Sequence, residues 1–82
     1  MKPGSRLLIV IPAKDEEQSI GQVVAKIRVQ YPSFDCLVID DGSTDQTADI
    51  AREAGALVVS HPRNLGVAAV VQSGRLYALA QS

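Results

Sequence analysis

Continuous apolar runs alternate along the chain with segments in which apolar residues recur at helical spacing. The runs are "RLLIVIP" at 6–12, "FDCLVID" at 34–40 and "ALVVS" at 56–60, and β-branched residues are frequent in them. A run that is apolar at nearly every position is typical of a strand in a sheet covered on both faces. We therefore predict three strands that are buried on both faces.

A helical pattern follows the first predicted strand. We expect this helix to begin at the N-cap Asp15, with Gln18 three residues on, and to end at Gln30. Its apolar residues are spaced i, i+3, i+4 and i+7, at Ile20, Val23, Val24 and Ile27. This spacing predicts one face that packs on the sheet.

Two further helices are expected after the second and third strands. In the second helix, Ser43 and Gln46 fit a capping box, and Gly55 fits the residue that follows the C-cap. The third helix is expected from about residue 67 to residue 80. Its predicted inner face consists of Val67, Val70, Val71, Gly74 and Ala78.

The resulting order, β-α-β-α-β-α, predicts an α/β fold. Strands that alternate with helices form a parallel sheet with right-handed crossovers. We expect a Rossmann-like three-layer α/β/α arrangement with strand order 3-2-1, in which the first strand would normally pair with a fourth. Residues 1–82 are therefore predicted to be the N-terminal portion of a larger domain, an incomplete one.

Composition narrows the choice of partner. Eight Lys and Arg residues stand against nine Asp and Glu residues, with a net charge of −1 and no basic cluster, which disfavours nucleic acid as a partner. The single cysteine, Cys36, excludes an internal disulfide and a multi-cysteine zinc site. No apolar run reaches the roughly 18 residues of a membrane span. We expect a cytoplasmic chain that binds a small molecule.

Three polar loops, "PAKDEE", "DDGSTD" and "HPRNLG", follow the predicted strands. In a parallel sheet these loops meet at the carboxyl edge, where ligands bind. The first loop carries Asp15, Glu16 and Glu17, which would repel a pyrophosphate, so a dinucleotide site is disfavoured. Carboxylates instead accept hydrogen bonds from ribose hydroxyls and from base N–H groups. We therefore expect a nucleoside to be held by carboxylates and its phosphates to be held by a metal.

The adjacent aspartates of the second loop are predicted to have different roles. Neighbouring residues of a strand point to opposite faces of the sheet, so Asp40 and Asp41 are poorly placed to chelate one ion. We assign Asp41 to the ligand crevice and Asp40 to nearby backbone N–H groups or a neighbouring loop. Gly42 allows the turn, and Ser43 begins the helix.

Four ordered segments, "IVIPAKDEEQSI", "LVIDDGSTDQT", "GALVV" and "RNLGVAAVVQSGRLYALA", resemble family 2 glycosyltransferases. They are similar to the N-terminal half of the GT-A nucleotide-binding domain, above all in polyprenol- and dolichol-phosphate sugar transferases. The resemblance covers residues 8–80. It implies that the full-length parent transfers a sugar from a nucleoside-diphosphate sugar to an acceptor such as a polyprenyl phosphate.

The resemblance implies a set of nucleotide-binding residues, in which Asp41 meets the base. The set is Pro12, Ala13, Glu16, Asp40, Asp41, Asn64 and Gly66. The sequence departs from the family at Lys14 and Asp15, where an aromatic residue and an asparagine are common.

The resemblance also implies what lies elsewhere in the parent. The metal-binding Asp-x-Asp, the catalytic base and the acceptor-binding segment are expected beyond Ser82, so we expect no catalytic and no metal-binding residue within this chain. The parent is expected to use Mg²⁺ or Mn²⁺, and the 82-residue chain alone is expected to be inactive. A lipid phosphate acceptor would place the parent at the inner face of the membrane.

Simpler roles are expected for several residues. His61 is predicted to be an exposed loop residue without a function, and Cys36 a small core residue. Arg63 and Arg75 are predicted to face solvent. Acidic residues in the first turn of a helix also stabilise it without any ligand.

Two other functions are compatible with the pattern. A receiver-like signalling domain also groups acidic residues at strand ends, but it requires a phosphorylatable aspartate after its third strand, where this chain has "VVSHPRN". The second alternative is a non-catalytic α/β fragment that associates with itself. Whatever the function, the unpaired edge of the first strand predicts a homo-oligomer. Its copies would be joined edge to edge or by exchange of the C-terminal helix.

Overall fold

The computed structural model describes residues 7–81 as a three-stranded parallel sheet with helices on both faces. The elements are β1 (Leu7–Ala13), α1 (Ile20–Gln30), β2 (Phe34–Asp41), α2 (Thr47–Glu53), β3 (Leu57–His61) and α3 (Val67–Gln81). Both strand pairs are parallel, and the order across the sheet is β1-β2-β3. The predicted α/β class, element order and strand order are confirmed.

The alternation of side chains along β2 divides the core into two layers. Cys36 and Val38 point to the face covered by α1 and α2, whereas Leu37 and Ile39 pack with Val70 of α3. The first layer also contains Ala13, Ile20, Val24, Ala51 and Ala56. Burial of the Cys36 thiol raises its pKa, as suits the small core residue that was predicted.

The two outer strands are less buried than predicted. All residues of β2 from Cys36 to Asp41 are buried, because this strand is central and covered on both faces. Among the described residues β1 pairs only with β2, so Leu7 and Val10 are half-exposed, and Leu57 of β3 is similarly exposed. The prediction that the outer strands are buried on both faces is therefore wrong.

The first helix begins later than predicted. Its N-cap is Ser19, and the preceding turn is closed by the Ile20 N–H, which donates to the Glu16 carbonyl at 2.9 Å. Asp15 is not an N-cap: it adopts a φ of 51° and its carboxylate accepts a hydrogen bond of 2.7 Å from the Thr44 N–H of the next loop. Asp15, which the sequence pattern assigned to a helix cap, therefore joins the first loop to the second.

The second helix also lacks the predicted capping box. α2 begins at Thr47, whose N–H donates to the carboxylate of Asp45 at 2.9 Å. The Gln46 N–H, which Ser43 would accept from in a capping box, donates to Glu17 Oε1 at 3.3 Å. The end of α2 agrees with the prediction, since Ala54 is the C-cap and Gly55 follows it with a φ of 104°.

The inner face of α3 is narrower than predicted. Val70 is buried, and Gly74 lies against the side chain of Val10. In contrast, Val67 and Val71 are 80% and 61% exposed, and Ala78 is exposed as well. These three assignments are wrong because α3 packs over a sheet whose described strands extend no further than β1.

The loops that follow β2 and β3 lie in direct backbone contact. Gly42 has a φ of 78°, and a Cβ atom at this position would lie 2.2 Å from the carbonyl carbon of Arg63 and 2.4 Å from the nitrogen of Asn64. Only a glycine allows the two backbones to approach so closely. This contact holds the two loops together at the carboxyl edge of the sheet.

We predict that Gly42→Ala lowers the free energy of unfolding more than Gly66→Ala does. Gly66 has a φ of 90°, but a Cβ there would meet nothing within 4 Å. The control substitution therefore costs only backbone strain, ~1–2 kcal/mol. The Gly42 substitution adds the clash, for a total of roughly 3 kcal/mol or more. Urea unfolding of both variants measures the difference, and equal losses would contradict the close approach.

Candidate functional site

An open cleft of about 790 Å³ lies at the carboxyl edge of the sheet, between the first loop and α3. Six of the seven residues predicted to bind the nucleotide line it: Pro12, Ala13, Glu16, Asp41, Asn64 and Gly66. The remaining residue, Asp40, does not line the cleft. The cleft also has apolar lining residues, among them Val10, Val70 and Val71.

Asp41 joins the end of β2 to the loop that follows β3. Its Oδ1 accepts a hydrogen bond from the Leu65 N–H at 2.9 Å and lies 2.6 Å from His61 Nδ1, and its Oδ2 accepts from the Gly66 N–H at 2.9 Å. These contacts lower the pKa of Asp41 to about 2, His61 contributing most and Leu65 next, while burial opposes them. The carboxylate is therefore ionised at neutral pH.

Asp40 occupies the opposite face of the sheet. Its Oδ1 accepts a hydrogen bond from the Ser43 N–H at 3.0 Å, and its Oδ2 accepts from the Ser60 hydroxyl at 3.3 Å. Since the side chain is 6% exposed and both oxygens have protein donors, Asp40 fixes the turn after β2. The structure thus separates the two carboxylates by face, as the alternation of a strand requires.

The first loop is braced by the second. Three successive backbone N–H groups donate to side chains of the second loop or of Thr47, the first residue of α2: Asp15 to Ser43 Oγ (2.8 Å), Glu16 to Thr47 Oγ1 (2.8 Å) and Glu17 to Asp45 Oδ2 (3.2 Å). These three N–H groups of the first loop are therefore not free to donate to a phosphate. The helix itself begins further on, at Ile20.

The carboxylates of this brace are structural. The N–H of Thr44, followed by Lys14, lowers the pKa of Asp15, and the hydroxyl of Thr47 does the same for Asp45. Glu16 is different, because it lines the cleft while only its backbone N–H joins the brace. The acidic first loop thus contains both a carboxylate held by the protein and one beside the cleft.

Two cations line the same cleft as the acidic residues. Lys14 Nζ lies 3.1 Å from Asp15 Oδ2 and 3.3 Å from the carbonyl oxygen of Gly42. Arg75 of α3 is exposed, as predicted, but it also borders the cleft. The cleft therefore presents acceptors for hydroxyl and N–H groups together with positive charge for an anionic group.

His61 does not fit the role predicted for it. Its side chain is only 8% exposed, and its two ring nitrogens lie 2.6 Å from Asp41 Oδ1 and 2.6 Å from Ser73 Oγ. The prediction of an exposed loop residue is wrong because His61 is the last residue of β3, where it pairs in register with Asp41. A predicted third strand that ended at His61 would have placed this residue beside Asp41.

The described residues do not fit a divalent-cation site. Within residues 7–81 no group of three or more His, Cys, Asp or Glu side chains could hold a metal ion. Asp40 and Asp41 lie on opposite faces of the sheet and already accept hydrogen bonds from the protein.

No helix within residues 7–81 is long and apolar enough to cross a membrane.

Comparison with known proteins identifies relatives. Residues 8–81 match the family described as "Glycosyl transferase family 2". A 4,4'-diaponeurosporenoate glycosyltransferase of Staphylococcus aureus (strain USA300) is 49% identical over 53 residues, a match that covers 65% of this chain and 14% of that protein.

Solved structures agree with this assignment. Mannosyl-3-phosphoglycerate synthase from Rubrobacter xylanophilus aligns with a TM-score of 0.62 and 29% identity, over 71% of this chain and 20% of that one. Glucosyl-3-phosphoglycerate synthase from Mycobacterium tuberculosis, in complex with Mn²⁺, UDP-glucose and phosphoglyceric acid, aligns with a TM-score of 0.61 and 39% identity. That alignment covers 72% of this chain and 22% of the synthase. The chain thus spans at most about a fifth of the length of these relatives.

Proposed function

We propose that this chain, which belongs to glycosyl transferase family 2, binds the nucleoside part of a nucleoside-diphosphate sugar in its carboxyl-edge cleft. In the full-length parent the bound sugar would be transferred to an acceptor such as a polyprenyl phosphate. The observation that carries the proposal is the convergence of three loops, which brings Glu16, Asp41 and Asn64 to one cleft.

The chemistry of the cleft suits a nucleoside. Carboxylates such as those of Asp41 and Glu16 accept hydrogen bonds from ribose hydroxyls and from the ring N–H of uracil or guanine. Apolar residues of the cleft, among them Val10 and Val70, offer a surface for the flat base. The complex of the Mycobacterium tuberculosis synthase with UDP-glucose supports a nucleotide sugar as the ligand class.

The transfer step needs groups that the described residues do not supply. An acceptor oxygen must bond to the anomeric carbon as the bond to the nucleoside diphosphate breaks. We propose that the catalytic base and the Mg²⁺ or Mn²⁺ site of the parent lie outside this chain. A relative crystallised with Mn²⁺ supports a divalent cation.

We also propose a cytoplasmic location for the chain. Its support is the unpaired core cysteine, Cys36.

We predict that UDP or GDP binds weakly to the chain and shifts the amide resonances of Ala13, Glu16, Asn64 and Gly66. Replacing Asp41 with asparagine removes a charged acceptor, which costs ~1.5–3 kcal/mol, so Asp41→Asn should abolish this weak binding. A two-dimensional NMR titration of the ¹⁵N-labelled chain measures both effects.

The matched control for this titration is Asp49→Asn. Asp49 is an exposed carboxylate of α2, 3.3 Å from Arg52, and lies outside the cleft. Binding should survive in this variant. Shifts confined to the opposite edge of the sheet, around residues 31–33 and 54–56, would contradict the proposed site.

We also propose that the chain associates with itself through the edge of β1. Within residues 7–81 this edge has no strand partner, and beside it the apolar residues Val67 and Val71 of α3 are exposed. Unpaired strand edges and contiguous apolar patches are typical of interfaces. A second copy could cover both by pairing edge to edge or by exchanging α3.

Sedimentation equilibrium at micromolar concentration tests this association. We expect a dimer or larger oligomer for the wild-type chain and a shift toward monomer for Val71→Lys, because the new charge would be buried in the interface. Val29→Lys is the control, since Val29 is 81% exposed on α1 at the other face of the sheet. A wild-type monomer of 8.7 kDa would contradict the proposal.

A further inference from the structure

His61 lies between the proposed ligand site and helix α3. The parallel register pairs it with Asp41 at the ends of β3 and β2, so both side chains point to the face that α3 covers. Ser73 projects toward the same point from α3. Sheet register and helix packing together therefore place an imidazole between a carboxylate and a hydroxyl.

The hydrogen bonds define what each ring nitrogen does. An ionised carboxylate only accepts, so Nδ1 of His61 donates to Asp41 Oδ1 over 2.6 Å. In the neutral imidazole, Nε2 then accepts from the Ser73 hydroxyl, also over 2.6 Å. The carboxylate selects the tautomer, and the hydroxyl holds the plane of the ring.

The carboxylate of Asp41 has one acceptor site left. A carboxylate offers about four lone-pair sites. Oδ1 is engaged by Leu65 and His61, and Oδ2 is engaged by Gly66 alone. The remaining site on Oδ2 is available to a ligand in the cleft that Asp41 lines.

Neither His61 nor Ser73 lines that cleft. The order carboxylate, imidazole, hydroxyl is the order found in acyl-transfer enzymes. Here, however, Ser73 is half-buried and does not line the cleft. Any effect of His61 or Ser73 on a ligand in the cleft would therefore pass through Asp41.

We propose that His61 is a positioning residue for the nucleotide, which holds the Asp41 carboxylate so that the free acceptor site of Oδ2 faces the base. This inference rests on the proposed function, since it requires that the cleft bind a nucleotide. The donor at Nδ1 is the essential group, and Ser73 is an anchor that restricts rotation of the ring.

Two amide substitutions test the roles of the two ring nitrogens of His61 one at a time. In His61→Asn the side-chain NH₂ replaces Nδ1 and keeps the donor to Asp41, whereas in His61→Gln the amide replaces Nε2 and keeps only the contact with Ser73. Titration of each 82-residue variant with UDP and GDP should show affinity within about threefold of wild type for His61→Asn. The same titration should show a loss of about tenfold or more for His61→Gln.

Thermal unfolding of the same variants distinguishes positioning from packing. Both substitutions break one hydrogen bond of His61, so similar losses of stability are expected. A binding loss that follows His61→Gln but not His61→Asn supports the inference, whereas equal affinity for the two variants would overturn it. If the wild-type chain bound neither nucleotide, the proposed function itself would be wrong.

Discussion

The carboxylate of Asp41 is the group on which the carboxyl edge of this molecule depends. It accepts hydrogen bonds from two successive backbone N–H groups of the third loop and from His61, while its own strand is central in the sheet. Without it, the Leu65 N–H would lose its acceptor, the Gly66 N–H would keep only the Asn64 side chain at 3.1 Å, and α3 would lose the polar link to β2 that runs through His61. Burial of this charge is tolerated because its donors replace water.

The adjacent carboxylate, Asp40, has a structural role on the other face of β2. Asp40 secures the turn that carries Gly42, and Gly42 allows that turn to touch the backbone of the third loop. The side chains of the second loop in turn satisfy the N–H groups of the first. The acidic character of this edge is thus partly a structural network and partly, at Glu16 and Asp41, the acidic lining of the cleft for which we propose a nucleoside.

Much of this arrangement follows from the sequence, because alternation within strands and periodicity within helices are local properties. They predicted the element order and the separation of Asp40 from Asp41, whereas the set of residues expected in the cleft came from the resemblance to the family. The errors arise where distant segments decide the outcome. Asp15 joins another loop in place of capping a helix, Val71 is exposed because the described sheet ends at β1, and His61 is buried by its register with Asp41.

The most direct measurement is an NMR titration of the Asp41 side-chain carbon in the ¹³C-labelled chain. We predict a midpoint at about pH 2, below the ordinary value of 3.8, because the donors around Asp41 favour its charged form. Since the folded pKa is depressed, this stabilisation is present above about pH 4 and is lost as the pH falls through about 2. A midpoint near 3.8 in the folded chain would show that the carboxylate does not hold the third loop.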